Sequence, residues 1–392
     1  MKKNGLLFFL LLFINSINAQ FQLSEKSEIS IVTAGPGTEL YEAFGHSAIR
    51  IKDPNSKLDL IYNYGVFDFN QPNFYTNFAK GNMIYSLARY DFKYFLASYK
   101  RDKRWLIQQV LNLNQQEKQA YFLFLENNAL PKSRNYNYDP YFNNCATILR
   151  KITDSILDNK VTFTDKYDKS GLTFRDLTNK EIHWNTWGSF GLNLIAGIPL
   201  DKKANSKEFL FLPDYVMDSF KNASISVNGK SEKLVKREDL LLKFKENKPK
   251  ISLLNPFLIF TILCLLVFFI TFRDFKKNKR SRFLDFTIFF TTGFIGILLL
   301  FLWLFSSHST APNNYNILWS FGPNLVIAFL MLKKEPKKWF SHYFKVLLFL
   351  MICIPILWIL DIQSFPTAVI PLLILLFVRY FFLVKRISNS FS

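Results

Sequence analysis

Apolar and polar positions alternate with a period of two early in the chain, and the period lengthens later. "EISIVTAG" (28 to 35), "FGHSAIRIKD" (44 to 53) and "LDLIYNYGVFDF" (58 to 69) predict strands, separated by the turn-forming "GPGTEL" and "PNSK". "QPNFYTNFAKGN" and "YDFKYFLASYKRD" read as helical or mixed, and "RWLIQQVLNL" as a strand. "NQQEKQAYFLFLENNALP" predicts a helix for which Asn114 is an N-cap. An aromatic loop, "RNYNYDPYFNN", then leads into a helix that begins near Cys145. Together these predict one mixed α+β domain over residues 20–220, with no internal repeat.

From about residue 253 the pattern changes to long apolar runs. "LLNPFLIFTILCLLVFFITF" is followed by runs at about 283 to 305, 316 to 332, 344 to 360 and 366 to 384. Each is long enough to cross or nearly cross a bilayer, so residues 251–392 predict a transmembrane domain of five helices. Residues 1–19, with Lys2 and Lys3 before "GLLFFLLLFI" and "NSINA", read as a secretory signal peptide cleaved after Ala19. The connectors "RDFKKNKRSR" and "KKEPKKW" and the tail "KRISNSFS" are basic, whereas "SSHSTAPNNYN" has no Lys or Arg and "DIQSF" carries only an acid. The positive-inside rule therefore places residues 20 to 250 outside the cytoplasm.

The formal net charge of +19 changes little once topology is considered. Beyond residue 250 there are 14 Lys/Arg against 4 Asp/Glu, a net +10. Much of the exported excess lies in 221–250, read as a basic juxtamembrane linker near anionic head groups; nucleic acid is not an expected partner.

Of three cysteines, Cys264 and Cys353 fall in apolar runs and only Cys145 lies in the exported domain. Asn143 or Asn144 would cap the helix that follows, placing Cys145 in its first turn, where free backbone N–H groups and the helix dipole lower a thiol pKa. A thiolate nucleophile needs a proton shuttle, and the exported histidines are His46, flanked by small residues, and His183, among aromatics. A buried structural cysteine is the competing reading of Cys145.

"FGHSAIRI", "YNYGVFDF" with "PNFYTNFAKG", "LNLNQQE", "RNYNYDPYFNNCATILR" and "FLPDYVMDSF" together resemble the Lnb-type lipoprotein N-acyltransferase family, as does "HSTAPNNYNILW" followed by "GPNL" in the membrane half. The exported domain also resembles circularly permuted papain-like enzymes, such as lecithin:retinol acyltransferase and NlpC-like hydrolases, in which the histidine strand precedes the cysteine helix. A third polar residue from the next strand orients the imidazole in such folds; Tyr62, Asn63 and Tyr64 are the candidates, and Asn63 is chemically closest to the papain-type group.

The resemblance implies a multi-pass protein of the bacterial inner membrane that moves a fatty acyl chain from a phospholipid, through a Cys145 thioester, to the free α-amine of a diacylglyceryl lipoprotein. His46 would move the protons, and the backbone N–H of Cys145, helped by the Asn144 amide, would hold the oxyanion. No metal or organic cofactor is required. Tyr62, Tyr64, Trp187 (with Trp184 and Phe190) and His308 (with Asn313 and Asn314) are the expected substrate-binding residues. The alternatives are a membrane-tethered cysteine hydrolase acting on peptides or peptidoglycan, and a non-enzymatic assembly or sensor protein.

Overall fold

The computed structural model describes residues 21–68, 70–334 and 336–388; the expected signal peptide lies outside them. The exported half is built on a seven-stranded antiparallel sheet in the order β10-β5-β1-β2-β3-β4-β6. The strands are β1 (Glu28–Ala34), β2 (His46–Asp53), β3 (Leu58–Val66), β4 (Ile84–Asp91), β5 (Leu106–Leu111), β6 (Asn135–Asn137) and β10 (Val235–Leu242). Central strands β1 and β2 are buried on both faces, and the charged groups buried on β2 are bonded there: Arg50 donates to Asp59 and Gln108, and Asp53 accepts from Ser24.

Helix α2 (Phe92–Arg101) covers one face, laying Phe92, Phe95 and Tyr99 on Val32, Ala34, Ala48 and Ile61. The other face receives α3 (Gln115–Asn128), α4 (Thr147–Leu157) and α7 (Pro213–Asn222), whose Tyr121, Leu125, Leu149, Ile152 and Phe220 join Ile49, Ile51 and Tyr62 in one core. Asn114 caps α3 as expected and forms a capping box with Glu117. The short helices α1 (Phe74–Ala79), α5 (Phe174–Glu181) and α6 (Trp187–Ile195) complete the domain.

The expected linker over 221–250 is instead part of the fold. A hairpin of β8 (Ser224–Val227) and β9 (Lys230–Lys233) turns at Asn228-Gly229, both with positive φ, and pairs with β7 (Val161–Thr162). Strand β10 then closes the edge of the large sheet against β5. It reads as a linker because its "VKREDLLL" is charged, as protected edge strands often are. Strand β4 lies mostly between the two segments expected to be helical or mixed and overlaps the second only at Tyr90 and Asp91.

Among the described residues four helices are long and apolar enough to cross a bilayer, not the five expected. They are α8 (Pro256–Lys276), α9 (Arg282–Phe305), α11 (Phe340–Ile359) and the span that contains α12 (Ile370–Ser388). The expected third helix is broken into a 3-10 turn, Tyr315–Leu318, and the seven-residue α10 (Asn324–Leu330). Gly322-Pro323 between them explains the break, since proline has no N–H to continue a helical ladder. This run still lies antiparallel along α9: its backbone meets Gly296 at Ser320 and Gly293 at Leu325, where any side chain would collide. Its far end accepts from Arg282 at the Leu332 carbonyl, 3.1 Å. The broken run thus joins the two ends of α9, and polar contacts satisfy the backbone it frees.

One end of the bundle is basic: Arg280 donates to the Lys333 carbonyl and Arg386 to the Asn278 carbonyl. There Arg379, fully buried, bonds Asp285 at 2.7 Å and Asp274 at 3.0 Å and ties α8, α9 and α12 together. The opposite end holds the exported domain: Ser307 N donates to Lys80 O at 2.7 Å, Asn314 Nδ2 to Leu194 O at 2.8 Å, and Ser364 N to Asp201 at 3.1 Å. Reporter fusions after Lys277 or Lys337 should therefore behave as cytoplasmic and one after Thr310 as exported. An exported signal at Lys337 would mean that the broken run does not cross.

Candidate active site

The cysteine and the histidine come from opposite sides of the sheet and meet at its end. Cys145 precedes α4 on the face shared with α3; His46 opens β2 and points to the α2 face, 6.4 Å ring to ring from Phe95. Contact is possible because the β2–β3 ladder stops at the Ile49–Tyr62 pair. Beyond it the Ser47 N–H donates to the Cys145 sulfur rather than to β3. β3 is bulged between Asn63 and Val66, and Gly65 there has φ 87°. A Cβ at Gly65 would sit in ordinary contact, 3.4 Å, with the Cys145 Cβ, so glycine serves the backbone conformation here rather than the space.

His46 Nε2 lies 2.6 Å from Asn63 Oδ1. Asn63 Nδ2 donates to the Tyr90 hydroxyl at 3.2 Å, which fixes which face of the amide meets the imidazole. The other ring nitrogen is left for the thiol, with which His46 shares a hydrogen bond. Burial alone would raise the Cys145 pKa. The His46 charge and hydrogen bond, with the backbone N–H groups of Ser47 and Cys145 itself, outweigh it and hold the thiol below its ordinary range. Burial would likewise lower the His46 pKa, but the Cys145 charge and the bonds to Cys145 and Asn63 raise it. The two shifts favour a thiolate–imidazolium pair.

Asn144 organises the loop. Its Oδ1 accepts from the N–H groups of Ala146 and Thr147, both at 2.9 Å, and so caps α4. Its Nδ2 gives one hydrogen to Pro140 O at 2.8 Å and the other to Phe211 O at 2.7 Å. Both amide hydrogens are therefore taken, and Asn144 positions Cys145 rather than facing an oxyanion.

Tyr62 and Tyr64, expected at the site, point to the other face of β3 and are buried in the core. The Tyr62 hydroxyl donates to Glu126, and Tyr64 accepts from Asn128 at 2.6 Å. Strand alternation explains it: with Asn63 toward His46, both neighbours must point away. Trp187 and His308 lie at the joint with the membrane bundle, away from the thiol. Trp187 Nε1 donates to Leu254 O at 2.8 Å, and His308 Nε2 donates to Phe78 O at 2.9 Å.

Three contributors carried no expectation. Gly65 had a readable signal, since a glycine inside a strand marks a bulge or a close approach. Tyr90 sits on the unanticipated β4. "FLPDYV" supplies the Phe211 carbonyl for Asn144, and Pro213 at the start of α7 packs beside Gly45, the residue before His46.

An α+β domain with thiol, imidazole and amide in sequence, docked on membrane-length helices, defines a membrane-anchored protein with its chemistry-bearing groups outside the bundle. Family models agree: that of the Lnb N-terminal periplasmic domain matches residues 15–180, and that of the Lnb transmembrane domain matches residues 247–389. The chain belongs to the Lnb family, which makes it a membrane-anchored, lipoprotein-modifying enzyme with a periplasmic N-terminal domain. None of the curated proteins and none of the solved structures compared gives a significant match.

Alkylation of Cys145 by iodoacetamide should have a pH midpoint below the ordinary thiol value of about 8.5. The thiolate is present above the lowered Cys145 pKa and is lost as pH falls through it; its imidazolium partner persists until pH rises through the raised His46 value. His46→Ala should move the midpoint upward, because burial remains while the compensating charge is gone. Mass spectrometry of the Cys145 peptide reads this, and a wild-type midpoint at or above the ordinary value would refute the ion pair. Gly65→Ala should cost about 1–2 kcal/mol for its positive φ. In thermal unfolding the protein should remain folded, with Cys145 alkylation slowed.

Proposed function

We propose that this protein is a lipoprotein N-acyltransferase of the bacterial inner membrane that works through a thioester on Cys145. The observation that carries this reading is the Cys145–His46–Asn63 relay in a domain docked on the exported end of the bundle. His46 takes the Cys145 proton, and the thiolate attacks an ester carbonyl of a phospholipid. The tetrahedral oxyanion lies nearest the N–H groups of Cys145 and Ser47, which already point at the sulfur. As it collapses, a C–S bond has replaced the C–O bond, and the lysophospholipid alkoxide leaves with the proton from His46.

In the second half the α-amine of a diacylglyceryl lipoprotein attacks the thioester carbonyl. A C–N bond forms, the C–S bond breaks, and His46 returns the amine proton to the thiolate. Asn63 accepts from His46 Nε2 throughout and stabilises the imidazolium that forms in each half.

Purified protein given phospholipid without acceptor amine should accumulate an acyl adduct on Cys145 that hydroxylamine removes. Intact-mass measurement before and after hydroxylamine reads it. Cys145→Ser should lose most lipoprotein acylation, and His46→Ala nearly as much, because a serine gains little from the groups that stabilise a thiolate. Steady release of free fatty acid or peptide with no adduct would favour the cysteine hydrolase instead. Undiminished acylation by Cys145→Ala would sink the mechanism.

A further inference from the structure

A row of aromatic side chains leads from the thiol to the membrane bundle without a gap. The ring of Tyr138 lies 3.7 Å from the place a Gly65 side chain would start, beside Cys145. Tyr138 stacks on Tyr85 with centroids 4.2 Å apart, and Tyr85 meets Phe67 at 5.1 Å. Phe67 reaches Phe74 at 6.3 Å, Phe74 reaches Phe78 at 6.2 Å, and Phe78 sits edge-on to His308 at 6.0 Å. His308 follows closely on Phe305, the last residue of α9, and the adjoining Ser307 is bonded to Lys80 just after α1.

This row is open toward its bundle end. Phe78 is 49% exposed and Ile84 beside it 45%, while Phe74 is buried and Tyr138, Tyr85 and Phe67 are half-buried. Apolar surface of this kind, continuous with a nucleophile at one end and a membrane helix at the other, suits an apolar, unbranched ligand drawn from the bilayer. A peptide or glycan would leave its amides and hydroxyls facing rings that offer few polar partners. The other aromatic group, Trp184, Trp187 and Phe190, is also partly exposed, but its rings meet Phe257 and Phe260 of α8, and among the described residues no ring contact leads from it to the thiol.

We propose that this row is the track on which the transferred fatty acyl chain lies, its carbonyl at Cys145 and its methyl end toward His308. The inference rests on the thioester reading above, and the two fail differently. The full-length protein in phospholipid nanodiscs is given a phospholipid whose acyl chain ends in a diazirine; the Cys145 adduct is first quantified by intact mass, then the sample is photolysed and the labelled peptides are mapped. Labels within 67 to 85 or 305 to 308 are the expected result. An adduct that forms while the labels fall within 184 to 190 or on α8 would overturn the track and leave the thioester standing. Absence of any adduct would overturn both. Phe78→Glu, at a half-exposed position, should leave the thermal unfolding midpoint near that of wild type and slow adduct formation by about tenfold, the factor for about 1.4 kcal/mol of lost apolar contact. Tyr94→Glu, at the exposed Tyr94 of α2, should not. Equal rates for Phe78→Glu and wild type would also overturn the track.

Discussion

The site depends on one constraint: a thiol carried on one face of the sheet must meet an imidazole that points to the other. Strand alternation forbids this within the ladder, so the meeting has to occur where the ladder ends. The β2–β3 pairing stops before Ser47, Gly65 bends β3 aside, and the freed Ser47 N–H turns to the sulfur. There it stabilises the charged form of the thiol. Much of the surrounding structure serves this junction. Asn144 clamps the cysteine loop to Pro140 and Phe211, and Tyr90 holds the Asn63 amide toward His46.

The joint between the domain and the bundle follows a different logic. Asn314 and Asn316 donate to the Leu194 carbonyl at the end of α6, a helix terminus whose carbonyls lack intrahelical partners. Asp201 accepts from Arg175, which is nearly fully buried, and also from Ser364 N between α11 and α12. Phe190 and Leu194 of α6 pack directly on the membrane core. Helix α6 is thus shared between the two halves, apolar toward the bundle and hydrogen-bonded at its end.

How much of this was legible in the sequence depends on whether a residue's role is local. Strands β1 to β3, the Asn114 cap and the helix after Cys145 are set by short-range pattern and turn chemistry, and all were readable. Cys145 and His46 could be named because few exported residues can do that chemistry, and Asn63 because of its amide. Tyr62 and Tyr64 would join the site only if three consecutive residues formed one patch, and a strand sends neighbours to opposite faces. Strand β10 was invisible because its pairing with β5 spans more than 120 residues and its charges mimic a linker. The broken third membrane run was hidden by composition, which counts apolar residues and overlooks what Gly322-Pro323 does to the backbone.

The docked arrangement bears on why the chain carries a bundle at all. A domain on a flexible tether would gain only local concentration over the bilayer, which a single helix or lipid anchor already supplies. Here polar contacts to Lys80, Leu194 and Asp201, on three parts of the domain, fix its orientation on the helices. A fixed orientation matters when a nucleophile must meet a carbonyl that is itself held by the membrane, because the entropy of alignment is then lost in folding rather than in each encounter. It also matters to water: the proposed thioester would have to wait for its amine where the approach is lined by apolar groups rather than open to solvent. The rings between Cys145 and His308 lie along such an approach, and the contact of His308 with Phe78 fastens its far end to the bundle.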